Sequence, residues 1–405
     1  MRRVVPPSSA FTFLRNAPPS PSFIFPTSFE EITIFVLMKP PAIICASVLA
    51  SVIGFHSSLA CTGIGLTAAD GSVAVGRTLE FGAPPNSDLI VYPAGTEIQG
   101  KTPKGDGMKW TAKYGFCGAD GFGDDTLMLD GLNEKGLVVG LFYFPNYAEY
   151  GELTEENTDR AMGPETVGTY LLSTCATVED AKEAVKKIAV VPVVLPALEE
   201  VPGVHFKVED AQGNCIVIEP RGGELVVHDN PVRVLTNAPE FSWQLTNLNN
   251  FLNLTPEYQK NRRIGSLELG PFGMGGGMVG IPGDFTPPSR FVRMTFFGQA
   301  IPQQADADAG VAAIFHLLNN FDIPYGVAHP PAGSAEGDDD YTPWAAVADI
   351  KNLKYYWRTF GNQTIQNVDL MKALETAGDK SVQIPMGPQA PEYELQSTDV
   401  TADLK

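Results

Sequence analysis

Ser57-Ser58-Leu59-Ala60-Cys61-Thr62-Gly63-Ile64-Gly65-Leu66, followed by the turn Ala69-Asp70-Gly71-Ser72 and by Val73-Ala74-Val75-Gly76-Arg77-Thr78, is the stretch on which the reading turns. A run of small residues ends at Ala60, and a cysteine comes next. Cleavage after Ala60 gives Cys61 a free α-amine beside its thiol. The thiolate is a strong nucleophile, and an adjacent amine can take the thiol proton. Residues 61–66 and 73–78 read as two short strands joined at 69–72. That hairpin carries Cys61 and Arg77 to one end of a sheet.

Two layers precede the cysteine. Residues 1–37 are rich in Pro, Ser and Phe. Met38 and Lys39 then lead into the apolar run Ile43-Ile44-Cys45-Ala46-Ser47-Val48-Leu49-Ala50-Ser51-Val52-Ile53. Read from Met38, residues 38–60 follow the plan of a secretory signal: a basic start, an apolar centre and a small-residue cleavage site. Met38 is accordingly read as the start of translation, and 1–37 as the product of a start codon placed too early. The other reading of 1–37 is a genuine extension. The apolar run is too short and broken to span a membrane comfortably, so no stable membrane anchor is expected. Ser58, three residues before Cys61, stands where a lipoprotein leader wants a large apolar side chain. The chain is expected to be exported, and periplasmic if its source is Gram-negative.

Residues 61–405 then form a single domain with a polar C-terminal tail, long enough to bury a large core. The leader holds Arg2, Arg3, Arg15 and Lys39 against Glu30 and Glu31, so its loss takes the formal charge from −19 to −21. Such a surface disfavours nucleic acid and anionic membranes as partners. Cys117, Cys175 and Cys215 sit among apolar or small residues and read as buried thiols. No CxxC pair, zinc spacing or HExxH occurs among the cysteines and histidines, so no metal site is expected. His316, on an apolar helical stretch, reads as a packed or boundary residue. Without a histidine placed beside Cys61, the free-amine mechanism gains over a Cys–His dyad. Gly275-Gly276-Gly277 lacks the strand–GxGxxG–helix context and the Walker lysine, so it reads as a loop, and no cofactor is expected.

Along the domain, hairpins alternate with a few helices. Residues 126–129 and 137–144 read as strands around Asn133-Glu134-Lys135-Gly136. Residues 178–190 read as an amphipathic helix capped by Thr177. A third hairpin joins 204–209 to 214–219 through Asp210-Ala211-Gln212-Gly213, and 226–228 and 232–235 add strands. Ser289-Arg290-Phe291-Val292-Arg293 opens an apolar stretch, and 307–319 is a helix candidate. A loop at 329–340 precedes a final hairpin, 344–350 with 353–360. The last twenty residues read as a tail or an interface strap. Antiparallel sheets covered by helices, an α+β class, follow from this order.

The ordered motifs identify a resemblance. Cys61-Thr62-Gly63, Gly76-Arg77-Thr78-Leu79-Glu80-Phe81, Asn133-Glu134-Lys135-Gly136-Leu137, Leu235-Thr236-Asn237-Ala238-Pro239, Trp243-Gln244-Leu245-Thr246-Asn247-Leu248, Pro282-Gly283-Asp284-Phe285 and Ser289-Arg290-Phe291-Val292-Arg293 stand in sequence across 61–360. Together they resemble the choloylglycine hydrolase family, which comprises conjugated bile salt hydrolases and penicillin V acylases. The resemblance implies the four-layer αββα fold of N-terminal-nucleophile hydrolases, and often a homotetramer. It implies Cys61 as nucleophile, Arg77 beside it, Glu80 near the N-terminal amine, Asn237 as an oxyanion donor and Arg290 as the arginine of the Ser-Arg-Phe motif. Glu80 departs from the family's usual Asp. The second oxyanion donor is a backbone N–H of Tyr143 or Phe142. Gly140-Leu141-Phe142-Tyr143-Phe144-Pro145 departs from the bile salt hydrolase pattern here, and counting back from the proline selects Tyr143.

The implied activity is hydrolysis of a linear carbon–nitrogen amide through a thioester on Cys61. The substrate is a small molecule with an apolar acyl group: a bile salt, penicillin V or an N-acyl homoserine lactone. Phe81, Phe142, Tyr143 and Phe285 are candidate acyl-pocket residues, whereas Phe144 reads as core. The other readings are ceramide-type amide cleavage, acyl transfer to an amine, or a non-catalytic homologue that only binds ligand.

Overall fold

A computed structural model describes residues 60–330 and 339–403. Apart from Ala60, the expected leader lies outside them, as does most of the 329–340 loop. Two large sheets organise the domain. Their strands, in chain order, are β1 (Ala60–Thr67), β2 (Val73–Phe81), β3 (Asp88–Tyr92), β4 (Phe116–Ala119), β5 (Asp130–Asn133), β6 (Val138–Tyr143), β7 (Val204–Glu209), β8 (Cys215–Arg221), β9 (Glu224–Asp229), β10 (Val234–Leu235), β11 (Tyr341–Asp349), β12 (Lys354–Thr359), β13 (Gln366–Asp369) and β14 (Val382–Pro385). The six-stranded sheet has the order β10-β1-β2-β11-β12-β13, and the eight-stranded sheet β9-β8-β7-β6-β5-β4-β3-β14. Neighbouring strands in both are antiparallel.

The sheets face each other, and helices cover their outer faces. Gly63 on β1 points into the space between the sheets, where an added Cβ would come 2.7 Å from the Phe142 ring on β6. The opposite face of the β1–β2 pair meets helices α4 (Pro287–Ala300) and α5 (Ala307–Leu318): Ile64 packs by Gly298 of α4, and any side chain at its ladder partner Gly76 on β2 would collide with Ile314 of α5. Helices α1 (Val167–Thr174) and α2 (Val178–Ala184) lie on the second sheet. This is the expected αββα layering. Strands covered on both faces lose the apolar–polar alternation of a surface strand. All nine residues of β2 and all nine of β11 are buried, including Arg77 and Glu80.

The β1–β2 hairpin, the β7–β8 hairpin and the β11–β12 hairpin stand where the sequence puts them. Two expectations are corrected. The strand expected at 126–129 lies at 130–133 instead. The apolar run 127–129 faces core and cavity outside the ladder, while the strand itself carries polar residues with buried partners. Asn133 donates to the Leu172 and Cys175 carbonyls, and Asp130 accepts from the Tyr355 hydroxyl at 2.8 Å. The helix expected over 178–190 ends at Ala184 and tightens into a 3₁₀ turn, Val185–Lys187. Its start is as expected, with a capping box between Thr177 and Asp180. Its end is lost because Ala189–Val190 leaves to pair in parallel with Ala161–Met162. The C-terminal residues act as a strap: Gln389 exchanges hydrogen bonds with the Ser87 backbone at 2.9 and 2.6 Å.

Candidate active site

Alternation along β1 and β2 sorts the site into two faces. Cys61 pairs with Leu79 and Gly63 with Arg77, so Cys61 and Arg77 share the face toward the second sheet. Ala60 pairs with Glu80 and Thr62 with Thr78, and these look toward α4. Cys61 is 1% exposed. Arg77 Nη2 donates to Cys61 Sγ at 2.7 Å. Its Nη1 donates to the Leu129 and Leu141 carbonyls at 2.6 Å each, and the guanidinium lies 4.5 Å from the Phe142 ring centroid. Arg77 is therefore seated by main-chain oxygens and an aromatic face. Nothing local in the sequence announces that Leu129 and Leu141 supply this seat.

Glu80 does not pair with Arg77. It lies on the opposite face of β2, fully buried, and among the described residues neither carboxylate oxygen has a hydrogen-bond partner. Burial pushes its pKa up to about 8, although Arg290, Thr78 and Arg77 pull it down. Its partner across the ladder is Ala60. With Ala60 attached, the Cys61 nitrogen is a peptide N–H, and it donates to Asn237 Oδ1 at 2.7 Å.

Asn237 follows β10 in a loop that closes over the start of β1. Its Oδ1 also accepts from Arg290 Nη2 at 2.7 Å, and its Nδ2 donates to the Tyr143 carbonyl at 2.9 Å. An amide nitrogen carries two hydrogens, so one donor remains for another acceptor. Arg290 stands in the first turn of α4. That turn is fixed by Pro287 at its start and by Asp284, which accepts from Thr286 and Ser289. Arg290 donates to the Cys61 carbonyl, to Thr62 Oγ1 at 2.7 Å and to the Phe285 carbonyl at 2.8 Å. Burial raises the Cys61 pKa, and Glu80 adds to this, while Arg77, Arg290 and a hydrogen bond from the Tyr143 backbone N–H work against it. The net shift is upward, so with Ala60 attached the thiol is held protonated.

Beside the thiol lies a narrow apolar cavity of about 20 Å³. Leu79, Leu141, Tyr143 and Val204 wall it from the sheets, Leu127 and Leu129 from the run before β5, and Phe122, Leu195, Leu198 and Pro202 from loops. Of the candidate acyl-pocket residues Tyr143 lines this cavity, whereas Phe81, Phe142 and Phe285 do not. Phe81 packs edge-on to Phe122, Phe142 points between the sheets against Arg77, and Phe285 is half-buried by the start of α4. Strand alternation separates Phe142 from Tyr143: adjacent residues look to opposite faces. Phe144 is core, stacked on His205 with centroids 4.3 Å apart. The missed wall, 195–204, carries a signal in Leu195-Pro196-Ala197-Leu198, an apolar cluster within an otherwise acidic and Pro-rich loop. Cys117, Cys175 and Cys215 are buried free thiols, and His316 is exposed on α5.

Residues 61–381 match the family described as linear amide C-N hydrolases, choloylglycine hydrolase family. A bile salt hydrolase/transferase of Clostridium perfringens is 31% identical over 77% of this chain and 93% of its own length. An uncharacterized protein of Paramecium bursaria Chlorella virus 1 is 34% identical over 76% of this chain and all of its own length. Among solved structures, a variant of the conjugated bile acid hydrolase from Clostridium perfringens superposes with a TM-score of 0.71 at 28% identity, covering 83% of this chain and 100% of that one. The overall fold is thus shared with a conjugated bile acid hydrolase, and the chain belongs to the choloylglycine hydrolase family of N-terminal-cysteine enzymes that hydrolyse linear amide C–N bonds.

Proposed function

We propose that this enzyme hydrolyses N-acyl amides whose acyl group is extended, apolar and free of hydroxyls, once removal of the leader has made Cys61 the N-terminus. The observation that carries this reading is a thiol hydrogen-bonded to Arg77 at the side of a cavity walled almost wholly by aliphatic carbon. A hydroxylated steroid entering such a cavity leaves its hydroxyls without partners, which costs more than it gains. A linear acyl chain carries no such groups. Among the candidate substrates, long-chain N-acyl homoserine lactones fit this chemistry best. Purified protein given acyl homoserine lactones of graded length, penicillin V and glycine- and taurine-conjugated bile salts tests it. Highest kcat/KM on a bile salt overturns it.

The mechanism follows from the arrangement. Cys61 Sγ attacks the amide carbonyl, and the α-amine of Cys61 accepts the thiol proton. The Tyr143 N–H and Asn237 Nδ2 receive the developing oxyanion. The α-ammonium returns the proton to the leaving amine, a thioester remains on Cys61, and water cleaves it. Arg77 favours the thiolate by charge, and Arg290 holds Asn237 Oδ1, Thr62 and the Cys61 carbonyl in one frame. Asn237→Ala is expected to lower kcat on the order of 10²-fold with KM little changed. Unchanged kcat in a folded variant assigns Asn237 to structure. Leu198→Trp, at the half-buried outer wall, is expected to cut kcat/KM for a decanoyl amide about tenfold more than for a hexanoyl amide. An equal effect on both places the acyl chain elsewhere.

Export and assembly belong to the same reading. The signal-like segment before Cys61 supports secretion, and intact-mass measurement of the native protein is expected to give a chain beginning at Cys61. Exposed Ile264, Leu267, Leu269, Phe272 and Met274 lie together along residues 262–274. That apolar display supports self-association, with the homotetramer as the expected state and light scattering as its measurement.

A further inference from the structure

Asn237 sits in a loop, 236–241, that runs from β10 to the start of helix α3 (Phe241–Asn247). One buried pair holds both ends of that loop. At its start the Thr236 carbonyl accepts from His205 Nε2 at 3.0 Å. At its end the Phe241 backbone N–H donates to Glu219 Oε1 at 2.9 Å. His205 and Glu219 stand on the adjacent strands β7 and β8, and His205 Nδ1 lies 3.2 Å from the same Oε1. His205 is 0% exposed and Glu219 1%. The half-buried His228 approaches the other carboxylate oxygen at 3.5 Å. The Thr236 carbonyl can only accept, so Nε2 carries a hydrogen. An ionised Glu219 can also only accept, so a hydrogen bond at its Oε1 takes its hydrogen from Nδ1. Burial pushes Glu219 up, but the hydrogen bonds from His205 and His228 outweigh it and hold the carboxyl down to about 2. Phe144 stacks flat on the imidazole, which fixes the ring plane.

We propose that His205 and Glu219 form a positioning pair for the reaction, clamping the 236–241 loop so that Asn237 Nδ2 is held where the oxyanion develops. The proposal rests on the assignment of Asn237 as an oxyanion donor. The pair touches neither Cys61 nor Arg77. Its effect passes through Asn237, whose Oδ1 and Nδ2 bridge the Cys61 nitrogen and the Tyr143 carbonyl. Small displacements of such a donor are expensive in rate. In Glu219→Gln the Phe241 N–H keeps an acceptor, but the carboxylate that His205 and His228 both approach is gone, and the clamp loosens.

A double-mutant cycle separates positioning from bulk stability. Glu219→Gln is expected to lower kcat about tenfold, with KM within about twofold of native and an unchanged rate of Cys61 alkylation by iodoacetamide. Introduced into Asn237→Ala, it is expected to cost nothing further, because the group it positions is gone. Losses that multiply in the double variant, or native kcat in Glu219→Gln alone, overturn the proposal and leave the Asn237 assignment standing. Native kcat in Asn237→Ala fells that assignment and the proposal with it. His205→Gln, taken through the same cycle, replaces Glu219→Gln if the latter does not fold. Failure of both to fold overturns the proposal in favour of a role in stability alone.

Discussion

Cys61→Ser is expected to give a folded protein whose kcat is lower on the order of 10⁴-fold. The substitution removes no buried contact of consequence. Arg77 Nη2, which donates to Sγ at 2.7 Å, finds an oxygen on the same stem, and the β1–β2 register is untouched. The chemistry is what suffers. Burial already works against ionisation at this position, and Arg77, Arg290 and the Tyr143 N–H only partly offset it. A hydroxyl starts from a far higher pKa than a thiol, so the α-amine cannot draw its proton to any useful extent. Turnover, circular dichroism and melting temperature measured side by side decide the matter. A folded Cys61→Ser protein within about tenfold of native turnover removes Cys61 from the nucleophile's role. Iodoacetamide gives an independent arm. Burial pushes Cys175 up to about 11 and Cys215 to about 12, with Cys117 higher still, and all three are buried. One alkylation per chain, at Cys61, is expected to track the loss of turnover.

Much of this site was legible because its determinants are local. A β-hairpin fixes which residues lie opposite, so Cys61 and Arg77 sixteen positions apart can be placed on one face from alternation and a turn. The Leu235-Thr236-Asn237 and Ser289-Arg290-Phe291 motifs carried Asn237 and Arg290 by resemblance, and the geometry brings both to Cys61. What escaped depends on how the layers meet. Phe142 and Tyr143 are adjacent, and only the packing of the second sheet decides that the first stacks on Arg77 and the second faces the cavity. The strand at 130–133 is hidden because its polar residues Asp130 and Asn133 are satisfied by Tyr355 and by α1, partners distant in sequence. His205 looked unremarkable for the same reason: its two partners, Glu219 and Thr236, lie 14 and 31 residues away.

Glu80→Gln is expected to have opposite consequences before and after the leader is lost. With Ala60 in place, Glu80 is fully buried with no hydrogen-bond partner among the described residues, and burial pushes its pKa up to about 8, well above an ordinary glutamate. A raised carboxyl pKa means that the folded chain binds this proton more tightly than the unfolded one. Stability from this group is therefore present at low pH and falls as pH rises from about 4.5 to about 8, where the folded state too must ionise. A glutamine cannot ionise, so it escapes that loss. The melting temperature of the leader-bearing Glu80→Gln chain is expected to match native near pH ~5 and to exceed it by several degrees near pH ~8.5. Once Ala60 is gone, the Cys61 α-ammonium occupies the neighbourhood of its ladder partner, and the carboxylate gains a cation. On the proposed mechanism the charge on Glu80 then holds the amine that must shuttle the proton, and Glu80→Gln is expected to lower kcat on the order of 10³-fold. Glu80→Asp keeps the charge but withdraws it by one methylene from a backbone built around the longer side chain. About a tenth of the native rate is expected of it. Equal melting curves in the leader-bearing chains at both pH values show that Glu80 has a partner there. Equal kcat for all three mature proteins shows that the amine is held by other groups.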